Sequence, residues 1–346
     1  MTKLLVLGGA LLAAAALVFA AFYYMTVVPG RPHGGPLPAL KDDEAALAAR
    51  LHRHIKTIAS RPHNLAHYGA LEEAARYIER ALHSLGYEPV AQVFETGGKT
   101  VRNIEATIEP ADPARFRGSL VLGAHYDSFG EAPGANDNGT GTAAVIELAR
   151  LLADLRVKSD LRIRLVLFVN EEPPYFKTEA MGSLHYARLL AERREPVIGM
   201  VSLETLGSFS DAPGSQQYPA PFGLLYPREG NFVAFVAMLG SRELLHALIE
   251  SFRRHTAFPT VGGVAPGFVP GIDWSDHWSF EQFRYPAIML TDTALYRYPH
   301  YHLPSDTPDK VDTEKLARIT RGVERMVRDI AKPEWPTAAV TPPAHD

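Results

Sequence analysis

Apolar positions fall into two patterns along the chain. The first is one unbroken block. From Leu4 to Val28 there is no charged residue, with Lys3 before it and Arg31 the next charge after it. As a helix, this run is long enough to cross the roughly 30 Å hydrocarbon layer of a bilayer. Tyr23 and Tyr24 would then lie near one interface. Residues 1–30 are therefore expected to be an anchor spanning the membrane through residues 4–28. The single Lys3 favours export of the rest of the chain to the periplasmic or extracellular side. The alternative is a signal peptide cleaved near Val18-Phe19-Ala20, which would give a secreted protein. A Pro/Gly linker, 31–43, comes next.

The second pattern is an alternation. Apolar runs bounded by turn residues lie at 91–96, 100–108, 119–127, 162–170, 197–207 and 286–292. Segments with apolar residues at three- and four-residue spacing lie at 43–59, 67–86, 139–156, 179–193, 241–254 and 312–332. Strands that are apolar almost throughout, alternating with helices, predict a sheet buried on both faces. The expected fold is α/β, a three-layer α/β/α sandwich with a mixed, mostly parallel central sheet, over 44–332. Residues 333–346 read as a Pro-rich, disordered tail. The stretch 207–231 has turn residues and aromatics without a period, as in a functional loop or lid.

Composition narrows the chemistry. The 346 residues carry a formal net charge of −4 and no basic stripe, which argues against nucleic acid as a partner. There is no Cys, so disulfides and thiolate ligands are excluded, and any metal must be held by His, Asp and Glu.

Ligands in open α/β sheets gather at the carboxyl ends of strands. Four predicted strand ends carry such residues: "GAHYDS" with His125 and Asp127, "VNEE" with Glu171 and Glu172, "SLE" with Glu204, and "YPHYHLPSD", a short loop after the last strand, with His300 and His302. Asp137 sits in "GANDNGTG" just before a helix. Each has an ordinary explanation alone: a hydrogen-bonded His, a helix cap at Asp137, a solvated Glu pair. Glu204 is harder to dismiss, because a carboxylate within an apolar run needs a partner. Together they point to a metal site.

In "AHYDS", "GANDNGTG", "NEE", "SLETLG", "SDHWSF" and "YHLPSDTPDKVD", in that order, the chain resembles the co-catalytic di-zinc aminopeptidases of the bacterial leucyl aminopeptidase and aminopeptidase Y type, over about residues 44–332. "RPHNLAHYGALEEAARYIERALHSLGYE" resembles that family's opening helices. The resemblance implies two Zn2+ ions. His125, Asp137 and Glu204 would hold one, and Asp137, Glu172 and His302 the other, with Asp137 bridging. Glu171 would be the general base, and Tyr301 is the candidate for stabilising the oxyanion. Asp127 would orient His125, Asp306 would act similarly near His302, and Asp276 would support the site. The family more often has Asp where this chain has Glu204. His277 and His300 receive no role. The expected substrate is a peptide with a free N-terminus. Three alternatives stay open: a glutaminyl-peptide cyclotransferase, which resembles the same motif set, a carboxypeptidase, and a non-catalytic ectodomain. In "EEPPYFKTEAMGS", Tyr175 and Phe176 are candidates for lining a pocket.

Overall fold

The structure, a computed structural model, describes residues 2–335. The expected tail therefore lies, from residue 336 on, outside the described residues. Helix α1 (Thr2–Thr26) is followed by α2 (Asp42–Ile58) and α3 (Tyr68–Ser84), then strands β1 (Val90–Thr96), β2 (Lys99–Ile108) and β3 (Ser119–His125). Next come α4 (Gly139–Leu151), β4 (Arg162–Phe168), α5 (Gly182–Glu192), β5 (Val197–Glu204), β6 (Val233–Met238), α6 (Arg242–His255) and β7 (Thr260–Ala265). The chain closes with α7 (His277–Glu281), β8 (Ala287–Thr291), α8 (Ala294–Arg297) and α9 (Thr313–Ile330).

The eight strands form one sheet in the order β1-β2-β4-β3-β5-β8-β6-β7. Strands β4, β3, β5 and β8 run parallel to one another, β1 and β2 add antiparallel at one edge, and the parallel pair β6/β7 joins β8 antiparallel at the other. Helices α2, α3, α4, α6 and α9 cover one face, and α5 and α7 the other. This is the expected three-layer sandwich. Its central strands are buried along nearly their whole length, which is why they read as continuous apolar runs.

Strands β6 and β7 are additional to the six expected. The run "VAFVAM" follows an irregular stretch of 25 or so residues, and "TVGGVA" carries two glycines, a composition that reads as loop. The glycines are required by close packing at the sheet edge. A Cβ on Gly262 would lie 2.7 Å from the Ile249 side chain, and one on Gly263 would lie 2.5 Å from the Tyr226 hydroxyl and 2.9 Å from the Met25 carbonyl. The segment 207–231 is irregular apart from a turn at Phe222–Leu224. Helix α1 contains the single stretch long and apolar enough to cross a membrane among the described residues, Leu7–Thr26, and none of it is buried.

Candidate active site

The parallel core brings the carboxyl ends of β3, β4, β5 and β8 to one edge, and the site forms there. His125 is the last residue of β3 and Glu204 the last of β5. Glu171 and Glu172 lie just beyond β4, where the extended strand has ended and Asn170 turns the chain with φ 59°. Asp137 lies immediately before α4, whose N-cap is Asn138. His302 is held on the loop between α8 and α9 at φ 58°.

These side chains converge. His125 Nε2 lies 3.4 Å from Asp137 Oδ1 and 3.4 Å from Glu204 Oε2. His302 Nε2 lies 3.1 Å from Asp137 Oδ2 and 3.2 Å from Glu172 Oε2. Asp137 thus turns one oxygen to each imidazole. Ligands about 2.0–2.2 Å from a tetrahedral zinc lie about 3.4 Å from one another, so the spacings match the edges of a coordination polyhedron. Hydrogen-bond alignment does not explain them. Asp137 Oδ2, Glu172 Oε1 and His302 Nε2 are buried without any hydrogen-bond partner. Such atoms fit a cation, and ligand atoms of His125, Asp137 and Glu172 all lie within 4.8 Å of each other. The residues present fit zinc, which takes nitrogen and oxygen donors at these positions.

The electrostatics make the same demand. Burial alone would raise Asp137, but the two imidazoles outweigh it and hold the carboxyl well below its usual range. Glu172 is pushed up to about 8, first by burial and then by Asp137. Glu171 is raised by burial, with Glu172, Glu204 and Asp276 adding and His125 opposing. Glu204 is raised by burial too, against the pull of His125. Burial would lower His302, yet Asp137 and Glu172 carry it up to about 10. Buried carboxylates crowded in this way need positive charge beside them.

The surrounding bonds fix the cluster. The Asp127 carboxylate accepts the backbone amides of Glu171 (3.1 Å) and Glu172 (3.2 Å), so one side chain on β3's extension sets both glutamates. His125 Nδ1 meets the Asp127 backbone carbonyl at 3.1 Å, with the Asp127 carboxylate at 3.6 Å. Asp306 accepts the amides of Asn136 (2.9 Å) and Asp137 (3.1 Å) and the Tyr298 hydroxyl (2.7 Å), so it holds the Asp137 loop, and its bonds do not run to His302. Asp276 is fully buried with both oxygens unpartnered, and burial pushes it up to about 7. Tyr301 stacks on His302 and shares with Glu204 the wall of an apolar cavity. His300 turns to the Ser305 hydroxyl (2.9 Å). His277 is buried against the Ile272 carbonyl (2.8 Å), and burial takes it down to about 4, so it is a neutral packing residue.

Three contributors are not expected from the sequence. Ser275 donates to Glu204 Oε2 at 2.7 Å, and its place beside Asp276 in "SDHW" is the one available signal. Asn138 donates to the Leu203 carbonyl at 2.8 Å and accepts the amides of Gly141 and Thr205, tying α4's start to β5's end. Phe129 stacks on His302 with centroids 4.0 Å apart and planes 8° apart. Tyr301 stacks at 3.9 Å and 19°. Two near-parallel rings at that distance must occupy opposite faces, so the imidazole is clamped between them.

A buried His–carboxylate cluster at the carboxyl edge of a mixed sheet is the donor set of a metal-dependent enzyme. Residues 103–327 match peptidase family M28. An uncharacterised Escherichia coli protein, YfbL, is 38% identical over 262 residues, 73% of this chain and 78% of that protein. A probable leucine aminopeptidase 1 of Trichophyton verrucosum is 26% identical, covering 66% of this chain and 58% of its own length. In fold, the chain is similar to an aminopeptidase of Aneurinibacillus sp. strain AM-1 (TM-score 0.63, 18% identity, 86% of this chain and 96% of that one). It is also similar in fold to a glutaminyl cyclase of Fimbriiglobus ruber (TM-score 0.60, 19% identity, 87% and 99%). The chain belongs to peptidase family M28 and is a zinc metallopeptidase.

Proposed function

We propose that the protein is an aminopeptidase that removes N-terminal residues from peptides, using two zinc ions. The observation that carries this reading is Asp137, whose two oxygens face two separate imidazoles, each backed by a further carboxylate. His125, Asp137 and Glu204 would hold one ion, and His302, Asp137 and Glu172 the other. Two divalent cations would also balance the charge of Asp137, Glu171, Glu172 and Glu204. Bound zinc polarises the scissile carbonyl and lowers the pKa of water toward neutrality.

The remaining chemistry is assigned to the chain. Glu171, with its backbone fixed by Asp127, takes a proton from the attacking water and delivers it to the leaving amine. The Tyr301 hydroxyl donates to the tetrahedral oxyanion. The cavity beside Glu204 and Tyr301 is walled by Phe222, Tyr226, Val264 and Met289 and has a volume of about 140 Å³. It receives an apolar N-terminal side chain. Residues 1–30 anchor the enzyme through α1, and the catalytic domain, 44–332, acts on the exported side.

Zinc content of the purified protein, measured beside rates on leucyl and glutaminyl chromogenic substrates, tests the reading. Two equivalents with release from the leucyl substrate are expected. One equivalent with cyclisation of the glutaminyl substrate would overturn it.

A further inference from the structure

The apolar cavity does not end at the catalytic edge. Strand β6 runs antiparallel to β8, so Ala234 is level with Thr291 at the site end, while the Met238–Ala265 pair lies at the far end. The cavity lining extends from Glu204 and Tyr301 down the face of these strands to Ala265.

Helix α1 leaves the body at that same far end. The Tyr24 carbonyl accepts from Arg242 Nε at 2.9 Å, and Arg242, the first residue of α6, comes directly after the turn Leu239–Ser241 that ends β6. The Arg242 guanidinium also stacks on the Tyr24 ring, at 4.3 Å. Phe22 packs against Phe222, a wall of the cavity, with ring centroids 6.0 Å apart.

Around this exit the surface is apolar. Leu224 and Phe268 are each 87% exposed, and Leu225 and Leu239 are exposed beside them in sequence or at the same end of the sheet. Leu224 lies between the cavity residues Phe222 and Tyr226, and Phe268 between the cavity residues Ala265 and Pro270. Leucine and phenylalanine exposed to this degree, on two loops, next to an apolar helix of which no residue from Leu7 to Thr26 is buried, share one solvent preference.

We propose that these loops are a membrane-docking surface. Leu224, Leu225, Leu239 and Phe268 insert into the interface of the phospholipid bilayer that α1 spans. The catalytic domain thereby lies on the bilayer with the far end of its apolar cavity against the lipid. The Tyr and Arg residues at the exit suit the headgroup layer, where an aromatic body and a charged tip are both accommodated. The inference rests on the anchor reading of residues 1–30.

The absence of Cys makes the test direct. Full-length L12C, L224C, F268C and V157C variants, each carrying one nitroxide, are placed in phosphatidylcholine–phosphatidylglycerol vesicles. Power-saturation EPR with oxygen and a nickel chelate reads the depth of each label. Val157 is exposed near the α4–β4 turn, remote from α1. The labels at 224 and 268 are expected about 5–10 Å below the phosphate level, where interfacial apolar groups reside. The label at 12 is expected deep in the hydrocarbon and the label at 157 in water. Labels at 224 and 268 as accessible to nickel as the one at 157, with 12 in lipid, would overturn the docking and leave the anchor standing. A label at 12 in water would overturn both. All four side chains are exposed, so folding is retained, and activity on a soluble leucyl substrate verifies it.

Discussion

Replacing Glu171 by Gln separates the proposed base from the proposed ligands. The two side chains have the same shape, and the backbone amide at 171 keeps its bond to Asp127 (3.1 Å), so the loop stays in place. Glu171 Oε2 lies 3.8 Å from His125 Nε2, further than the 3.1–3.4 Å contacts that join the four ligand pairs. Its loss removes a proton acceptor and leaves both ligand triplets intact. A general base supplies roughly 10²–10⁴-fold, or about 3–5 kcal/mol of barrier. The expected result is therefore a fall in kcat by that factor, with KM little changed and zinc content equal to the parent. Glu172→Gln differs: its Oε2 stands 3.2 Å from His302 Nε2, within the second triplet. This variant should retain about one zinc equivalent, and added zinc should restore part of its activity. The assay is kcat and KM on a leucyl substrate, with metal counted by plasma mass spectrometry on the same samples. Metal lost from Glu171→Gln and kept by an inactive Glu172→Gln would refute the assignment and exchange the two roles.

The same geometry sets three further outcomes. Asp137→Ala removes an oxygen from both triplets and should lose more zinc than His125→Ala, which touches one; equal losses in metal titrations count against a bridge. Phe129→Ala removes one jaw of the clamp on His302, and aromatic stacking is worth about 0.5–1.5 kcal/mol beyond burial. Zinc affinity should weaken by up to about tenfold, with kcat nearly unchanged at saturating zinc, and a variant with parental affinity would show that the stacking holds nothing in place. Glu147, on α4, accepts from Arg50 on α2 (3.0 Å) and Arg150 (2.7 Å) and meets His54 at 3.2 Å. Burial would raise its pKa, but these partners take it down to about 2, below the 4.5 of the unfolded chain. That stabilisation is present above pH 4.5 and is lost as pH falls toward 2. It amounts to at most about 3 kcal/mol. Melting curves of metal-stripped Glu147→Gln should therefore flatten between pH 5 and 2 relative to the parent, and parallel curves would sink the argument.

Apolar periodicity carries the fold as far as burial is uniform. Strands β3, β4, β5 and β8 lie between helical layers and announce themselves as unbroken apolar runs. At the edge this fails. Strand β7 packs so closely on Tyr226, Ile249 and the end of α1 that two of its residues have no side chain, and the apolar alternation of a strand is lost there. The expected strand boundaries are long by two or three residues at β3, β4 and β5, because the site residues beyond each strand are buried like strand residues without pairing like them.

The candidate site is legible in its donors and less so in its supports. His, Asp and Glu at strand ends are rare enough to be seen together, but what holds them is often backbone, which has no letter. Asp306 is expected from the sequence to act on His302; it takes instead the amides of Asn136 and Asp137, some 170 residues away, contacts that no spacing encodes. Glu204 shows the same limit from the other side. The resemblance leaves open how a side chain one methylene longer than the usual Asp is held. Its Oε2 accepts from Ser275 at 2.7 Å, meets Asn138 Nδ2 at 3.4 Å and faces His125 at 3.4 Å. Asn138 also ties its own side-chain amide to the Leu203 carbonyl, so the strand end and the carboxylate are positioned by one residue. The added torsion costs about 0.5–1 kcal/mol in rotamer freedom, and two hydrogen bonds to a carboxylate offset it. The longer side chain is thus held on one oxygen, and the other remains free of these bonds.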